Sequence, residues 1–249
     1  MNKVLYKNSE HTILYKDKKS KIMYKDKPYQ DEELNYPSIA LCHFEDDFVN
    51  NQITDSKGIV WTKKSGMCQI TDAKAKFGTH CLELDGGYID SEHLESLNLD
   101  KGDFTMDFWV YPTSSLRGTL AIGYYFSPYI DISSYRPNMW FLNASATAWV
   151  ISGEGGGAGV GTINIQVNQW SHLAIVRNGS SLSLYVNGQL SKSANIGNVS
   201  TIYNNNSCLR IGAWDDGSYK FKGYIDEFRF TDVAVWTDEF TPPTKPYNN

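Results

Sequence analysis

Histidines and acidic residues are the side chains of this 249-residue chain that could do acid–base or nucleophilic chemistry. The five histidines stand singly, and no spacing places one with a serine or cysteine and an acid, as a hydrolytic triad requires. Asp226 and Glu227 are adjacent, so strand alternation predicts that they point to opposite faces and cannot share a site. The glycine-rich segment 152–161 lacks the Gly-Lys-Ser/Thr ending of a phosphate loop. The sequence therefore predicts a protein that is not an enzyme.

A short aromatic and acidic segment is the best candidate for binding a ligand. A sugar ring can pack on an indole or phenol ring while carboxylates accept hydrogen bonds from its hydroxyl groups. The predicted ligand-binding residues are Trp214, Asp215, Asp216 and Tyr219. The next candidates are Tyr124, Tyr125 and Trp140. The alternative, which stays open, is that these aromatic residues pack within a large sheet or at a subunit interface.

Two predicted hairpins supply the framework that must position these residues. Ser171–Arg177, Leu182–Val186 and Gln189–Lys192 alternate between apolar and polar residues. Asn178-Gly179 and Asn187-Gly188 separate them, and Asn-Gly favours the positive φ angles of a type I′ turn. This pattern predicts antiparallel sheet.

The segment Asp103–Tyr111 carries bulky residues on both faces of its predicted strand. Such a strand is expected at the centre of a sheet, covered on both sides at one end. The proline-containing tail Trp236–Tyr247 is typical of a chain that lies across a surface. Segments with helical periodicity are almost absent, so the fold class is all-β.

The N-terminal residues differ from the rest in charge and pattern. Residues 1–30 contain eight lysines and three acids, whereas the whole chain has a net charge of −5. Three β-prone runs, Val4–Lys7, Ile13–Lys16 and Ile22–Lys25, recur every nine residues. We expect residues 1–37 to form a basic, β-rich arm for assembly with other copies or with acidic partner proteins. A flexible leader is the alternative, and the absence of arginine argues against nucleic-acid binding.

Several classes of protein are excluded by composition. The chain has no apolar run long enough to span a membrane, and its N-terminus lacks the apolar core of a signal peptide. Its four cysteines are widely spaced without a CxxC pair, which favours free thiols in a protein made in the cytoplasm. Residues 38–249 are long enough for one large β domain.

Short segments spread along residues 38–243 together resemble the laminin-G-like, concanavalin A-like jelly-roll domains of bacteriophage virion proteins and bacterial surface proteins. The segments that carry this resemblance are Leu41–Phe44, Phe77-Gly78, Leu82–Gly86, Gly102–Thr105, Phe108–Val110, Trp170–Ala174, Leu184–Gly188, Ile211-Gly212 and Phe221–Arg229. The resemblance implies a sandwich of two antiparallel sheets of about six or seven strands each. Residues 1–37 lie outside it.

The resemblance also implies a function. We expect a virion protein, associated with the tail or decorating the capsid, whose lectin-like domain binds host surface polysaccharide. Many relatives hold a structural calcium ion where the first and last strands meet, and Glu45 and Asp226 occupy the corresponding positions here.

The alternative function is a polysaccharide-degrading glycoside hydrolase of the same fold. Glu83-Leu84-Asp85 begins the carboxylate motif of concanavalin-like glucanases. Gly86 and Gly87 stand where the motif continues toward its second glutamate, so the segment is better explained as a strand end.

Overall fold

The chain forms two compact units, Met1–Leu34 and Asn35–Asn249. A computed structural model describes residues 36–93, 96, 99, 102–113, 165–196, 208–213 and 220–248, together with the backbone of six further strands. The sixteen strands of the described chain are β1 (Leu5–Asn8), β2 (His11–Leu14), β3 (Ser38–Cys42), β4 (Gln52–Thr54), β5 (Val60–Thr71), β6 (Cys81–Ser91), β7 (Phe104–Pro112), β8 (Ile122–Tyr125), β9 (Arg136–Met139), β10 (Thr147–Ser152), β11 (Val160–Ile163), β12 (Ser171–Asn178), β13 (Ser181–Val186), β14 (Gln189–Asn195), β15 (Cys208–Ile211) and β16 (Lys222–Thr231).

The first unit contains the antiparallel pair β1–β2, in which Leu5 lies opposite Leu14. Two of the three predicted repeats thus overlap strands, although β2 begins two residues earlier than the pattern predicted. The third repeat, Ile22–Lys25, lies outside the described residues. The assembly role of residues 1–37 stays a prediction.

The second unit is an antiparallel β fold that confirms the predicted fold class. One sheet has the order β14-β13-β12-β7-β16-β3, and the other has the order β11-β10-β9-β8-β15-β6-β5-β4. Within the described chain these sheets have six and eight strands, close to the six or seven expected. Their inner faces share one core, in which Phe108 and Leu173 of the first sheet join Leu84 and Ile211 of the second.

Strand β16 connects the two sheets. Its first half pairs with β6 and its second half with β3, while β7 lies along its other side. The partner changes at a β-bulge between Asp226 and Arg229, where Glu227 has a φ of 52°. A bulge bends a strand and locally breaks the alternation of its side chains.

The two predicted hairpins are present, β12–β13 and β13–β14. The turn at Asn187-Gly188 has positive φ at both central residues and is the predicted type I′ turn. The prediction was wrong for the first turn. Its central residues are Gly179 and Ser180, and positive φ occurs only at Gly179, as in a type II′ turn. Asn178 instead ends β12, because it pairs with Ser181.

Strand β7 is buried on both faces, as its sequence predicted. Phe104, Met106 and Phe108 enter the common core. The opposite face is covered in part by the residues after β16, which include Trp236 and Phe240. The predicted path of the tail across a surface is therefore confirmed.

All four cysteines are free, and only Cys208 is not fully buried. Across the part of the chain that the structure describes, none of the helices has the length and apolar character needed to cross a membrane.

Candidate functional site

The side of β5, β6, β16, β7 and β12 that points away from the common core is called the outer face here. Cross-strand pairs arrange its side chains in rows that run perpendicular to the strands. Tyr224 lies opposite Tyr111, Asp226 opposite Trp109, and Arg229 opposite Asp107. The first of these rows is half-buried, whereas the other two are fully buried. The outer face therefore has an open part and a covered part.

Two segments cover the buried rows. The β5–β6 loop, residues 72–80, places the Lys76 ammonium 3.9 Å from the centre of the Trp109 ring and packs Phe77 edge-on against the same ring. The C-terminal segment, residues 232–248, stacks Trp236 on Phe240 with ring centres 3.9 Å apart. Gly188 lies under this segment, where a Cβ atom would collide with the carbonyl of Phe240.

A buried polar network centred on Asp107 lies beneath the C-terminal segment. Arg229 donates from Nε to Oδ1 of Asp107 at 2.9 Å and from Nη2 to Oδ2 at 3.3 Å. Nε2 of His172 lies 3.2 Å from Oδ2, and the Tyr247 hydroxyl donates to the same oxygen. The Arg229 guanidinium stacks 3.9 Å from the centre of the Tyr247 ring. The covered part of the outer face is therefore a buried ionic network, although two nitrogens within the described residues, His172 Nδ1 and Trp109 Nε1, are buried without a hydrogen-bond partner.

The charges of this network follow from burial and from its ion pair. Burial opposes ionisation of Asp107, but the Arg229 guanidinium and His172 hold the pKa of Asp107 below its ordinary value. Burial lowers the pKa of His172 despite the nearby carboxylate. Asp107 is thus the ionised acceptor, and neutral His172 donates its Nε2 proton to it.

Asp226 and Glu227 do not alternate across the strand, so that prediction was wrong. The bulge turns both carboxylates toward segments that cover the outer face. Asp226 Oδ2 accepts N–H bonds from Lys76 and Phe77 at 2.8 and 3.2 Å, and Glu227 Oε2 accepts one from Tyr247 at 2.9 Å. Glu227 also bonds His43 Nδ1 at 2.8 Å. Burial raises the pKa of Asp226 to about 7.

The open part of the outer face is a row of five side chains, called the open strip. Its members, in order across the sheet, are Gln69, Glu83, Tyr224, Tyr111 and Trp170. Gln69 is exposed and the other four are half-buried. The strip therefore places aromatic rings and hydrogen-bonding groups side by side at the protein surface.

The geometry of the open strip joins an aromatic end to a polar end. The ring centre of Tyr111 lies 5.6 Å from that of Trp170 and 5.7 Å from that of Tyr224, in edge-to-face contacts. Gln69 Nε2 donates to Glu83 Oε2 at 2.6 Å, and Glu83 also contacts the Tyr224 hydroxyl. Burial, followed by this carboxylate, raises the pKa of Tyr224. The phenol is therefore a neutral donor at ordinary pH.

The predicted ligand-binding residues Trp214, Asp215, Asp216 and Tyr219 lie outside the described residues. The ends of their loop are described, and Phe221 N donates to Gly212 O at 2.8 Å. Lys222, which follows, pairs with Asp85 in the row next to the open strip. Tyr124 and Tyr125 belong to β8, and Trp140 lies outside the described residues. The binding role of this loop stays a prediction.

Glu45 and Asp226, the predicted calcium ligands, both hold the β5–β6 loop. Glu45 accepts hydrogen bonds from the Thr79 backbone N–H at 3.0 Å and from the Thr79 hydroxyl at 2.7 Å. Asp226 binds the same loop at Lys76 and Phe77. All four carboxylate oxygens accept hydrogen bonds from the protein, including one from the Glu227 backbone N–H to Asp226 Oδ1. Among the described residues no cluster of three metal-ligating side chains occurs. Calcium binding stays a prediction.

The open strip was not singled out from the sequence, although part of its signal was there. Tyr111 belongs to the outward-facing residues of β7, and Trp170 directly precedes β12. What the sequence does not show is the register that places Tyr224 and Glu83 beside them. That register depends on strands separated by more than a hundred residues.

Comparison with known families agrees with this geometry. Residues 85–239 match the Laminin_G_3 family, described as the concanavalin A-like lectin/glucanases superfamily. Because the match covers more than half of the chain, the chain belongs to this superfamily. Comparison with curated proteins gives no match.

Solved structures share the fold at low sequence identity. One is domain 4 of AbnA, a GH43 extracellular arabinanase from Geobacillus stearothermophilus, in complex with arabinotriose. It has 20% identity and a TM-score of 0.55, with 82% of this chain and 96% of that chain covered. The binding domain of Paraclostridial Mosquitocidal Protein 1 has 21% identity and a TM-score of 0.52, with 76% of this chain and 48% of that chain covered.

The botulinum neurotoxin serotype D binding domain has 14% identity and a TM-score of 0.57, with 80% of this chain and 48% of that chain covered. The chain thus spans about half the length of these toxin binding domains. At such identities the likeness shows the fold alone.

Proposed function

We propose that this protein binds carbohydrate without cleaving it, through the open strip of its outer face. The main support for this proposal is the row of half-buried aromatic rings that continues into Glu83 and Gln69. Sugar rings have apolar C–H faces that pack on aromatic rings and hydroxyl groups that bond to carboxylates and amides. Membership of a lectin/glucanase superfamily supports this choice, as does the domain of the same fold that was solved with arabinotriose.

The burial of the other carboxylates on the outer face supports binding rather than hydrolysis. Asp107, Asp226 and Glu227 have exposed fractions of 0–2% and accept hydrogen bonds from the protein. A glycosidase needs two carboxyl groups that reach the scissile bond. These three side chains do not reach the surface where a polysaccharide would lie.

A glycoside hydrolase is the alternative function, and one observation favours it. Glu83 and Asp85 lie on the same side of β6, because they pair with Tyr224 and Lys222 of β16. Asp85 forms an ion pair with Lys222 at 2.8 Å, which engages one of the two carboxylates. Release of reducing ends from a polysaccharide that the protein binds, lost in Glu83→Gln, would establish the enzyme instead.

The binding experiment compares variants of the open strip on an array of bacterial and plant glycans. Trp170→Ala and Tyr111→Ala should each weaken binding by at least about tenfold, as is usual for aromatic hot spots. Tyr111→Phe keeps the ring and should bind like the wild type. Lys192→Ala, at an exposed position of β14, is the surface control. Wild-type protein that binds no glycan, or unchanged binding in both alanine variants, would contradict the proposal.

The setting proposed for this activity is a bacteriophage virion, with the domain presented to host surface polysaccharide and residues 1–37 holding it to other copies or virion proteins. The virion setting rests on the resemblance of residues 38–243 to virion jelly-roll domains, and the role of the arm rests on the basic character of residues 1–30 and the β1–β2 pair within them. Size-exclusion chromatography of the full chain and of residues 38–249 tests the arm. An unchanged oligomeric state together with unchanged particle incorporation would exclude this role.

A further inference from the structure

The open strip runs across strands rather than along one. Its members belong to β5, β6, β16 and β7, with Trp170 directly before β12. Neighbouring strands lie about 4.8 Å apart, so four intervals give a strip roughly 19 Å long. A ligand that contacts every member must be extended in this direction.

The strip is also bounded along one of its long sides by covering segments. Directly beside it lies the buried row that contains Asp226, Trp109 and His172, over which Lys76 and Phe77 pack. Lys74 of the same loop reaches the strip itself, with its ammonium 5.4 Å from the centre of the Tyr111 ring. This border favours a single linear chain over a branched or bulky ligand.

The charges along the strip compensate each other. Glu83 contributes one negative charge and Lys74 one positive charge, while Gln69 is neutral. In the neighbouring row Asp85 and Lys222 neutralise each other as an ion pair at 2.8 Å. A strip whose one carboxylate is matched by a neighbouring ammonium group offers no electrostatic preference for an anionic polymer, so it fits a neutral one.

We propose that the open strip binds an extended, neutral glycan segment of about four sugar residues that runs across the strands, one sugar per strand interval. Its aromatic end, Trp170 and Tyr111, packs on the apolar faces of the sugars. Its polar end, Glu83 and Gln69, bonds their hydroxyl groups. This inference rests on the proposed carbohydrate binding and adds the length, direction and charge of the ligand.

The test is a titration of the full chain with length series of neutral linear oligosaccharides. Arabino-, xylo- and cello-oligosaccharides from disaccharide to hexasaccharide are compared by isothermal titration calorimetry. For a series that binds, the affinity should rise at least about tenfold from disaccharide to tetrasaccharide and then stay level. Equal affinity for all lengths would overturn the proposed length.

Two variants test the direction of the bound chain. Trp170→Ala should weaken every oligosaccharide of the series. Gln69→Ala removes an exposed side chain at the far end, so it should weaken only the tetrasaccharide and longer chains and leave the disaccharide unchanged. Lys192→Ala should change neither. Equal weakening of the disaccharide and the tetrasaccharide by Gln69→Ala would overturn the proposed path.

The outcomes separate this inference from the function on which it rests. If no length series and no glycan of the array binds, carbohydrate binding itself is wrong and the inference falls with it. If an oligogalacturonate series binds more tightly than every neutral series, the proposed neutrality is wrong while carbohydrate binding stands. If the full chain binds a monosaccharide as tightly as it binds the corresponding polymer, the proposed extended site is wrong while carbohydrate binding stands.

Discussion

The outer face carries two ion pairs that both involve β16 and differ in what covers them. In the covered part, Asp107 binds Arg229 where neither side chain is more than 5% exposed. In the exposed row beside the open strip, Asp85 binds Lys222 where about half of each side chain is exposed. The ion-pair distances are almost equal, 2.9 and 2.8 Å. The difference teaches that burial, not geometry, separates residues that hold this fold together from residues that are available to a ligand.

The largest expected effect comes from breaking the buried pair. Asp107→Ala leaves the Arg229 guanidinium buried without its counter-ion, and this should lower the free energy of unfolding by about 3–5 kcal/mol. Asp85→Ala is the matched change in the exposed row beside the open strip and should cost less than about 1 kcal/mol. Urea denaturation of both variants measures the contrast. Equal losses of unfolding free energy in the two variants would show that burial beneath the C-terminal segment does not make the Asp107–Arg229 pair more important for stability.

A second difference should show in the dependence of stability on pH. The pKa of Asp226 is raised from 3.8 to about 7 by burial, so between these values the folded protein holds a proton that the unfolded chain has lost. The stabilisation from this group is complete below pH 4 and is lost as the pH rises through about 7.

The measurement is the free energy of unfolding of wild type and Asp226→Asn across this range of pH. Their difference should change in favour of Asp226→Asn as the pH rises. His172 contributes an opposite trend, because its lowered pKa makes stability increase with pH up to the ordinary histidine pKa of 6.5. This trend is the same in both proteins, so subtracting their free energies of unfolding removes it. A difference that does not vary with pH would contradict the burial of an ionisable Asp226.

The smallest expected effect compares two tyrosine hydroxyls. Tyr247→Phe removes a hydroxyl that donates to the fully buried Asp107 carboxylate and should lower the free energy of unfolding by about 1–2 kcal/mol. Tyr224→Phe removes a hydroxyl at the half-buried open strip, next to Glu83, and should change stability by less than that. Thermal denaturation of both variants tests this. A larger loss in Tyr224→Phe would reverse the proposed division of the face.

Local sequence patterns predicted much of this fold. Alternation around Asn187-Gly188 predicted a hairpin and its turn type, and bulk on both faces of Phe104–Tyr111 predicted a strand covered on both sides. Such features depend on residues that are close in the chain. Asn178-Gly179 failed at this level, because either neighbour of Gly179 could supply the second turn residue and the strand register chose Ser180.

The candidate site could be predicted only in part, because it depends on pairing between distant segments. The sequence indicated that Tyr111 lies in a strand and that Trp170 lies at the start of one. It did not indicate that Tyr224 lies beside Tyr111, because that position depends on the register of β16. The bulge at Glu227 also has no local signal, since a glutamate at positive φ contradicts the usual preference for glycine or asparagine. Alternation therefore gave the wrong placement for Asp226 and Glu227.

The pairing of β16 with β3 has a consequence for how the chain reaches its folded state. Arg229 lies opposite Leu41, so this contact closes a loop of nearly the whole domain. Contacts between residues so distant in sequence slow folding, because the chain loses conformational entropy before these contacts can stabilise it. During synthesis β3, β6 and β7 emerge long before β16 does. Until then they have exposed edges, and a holding chaperone that binds such edges should raise the yield of folded protein.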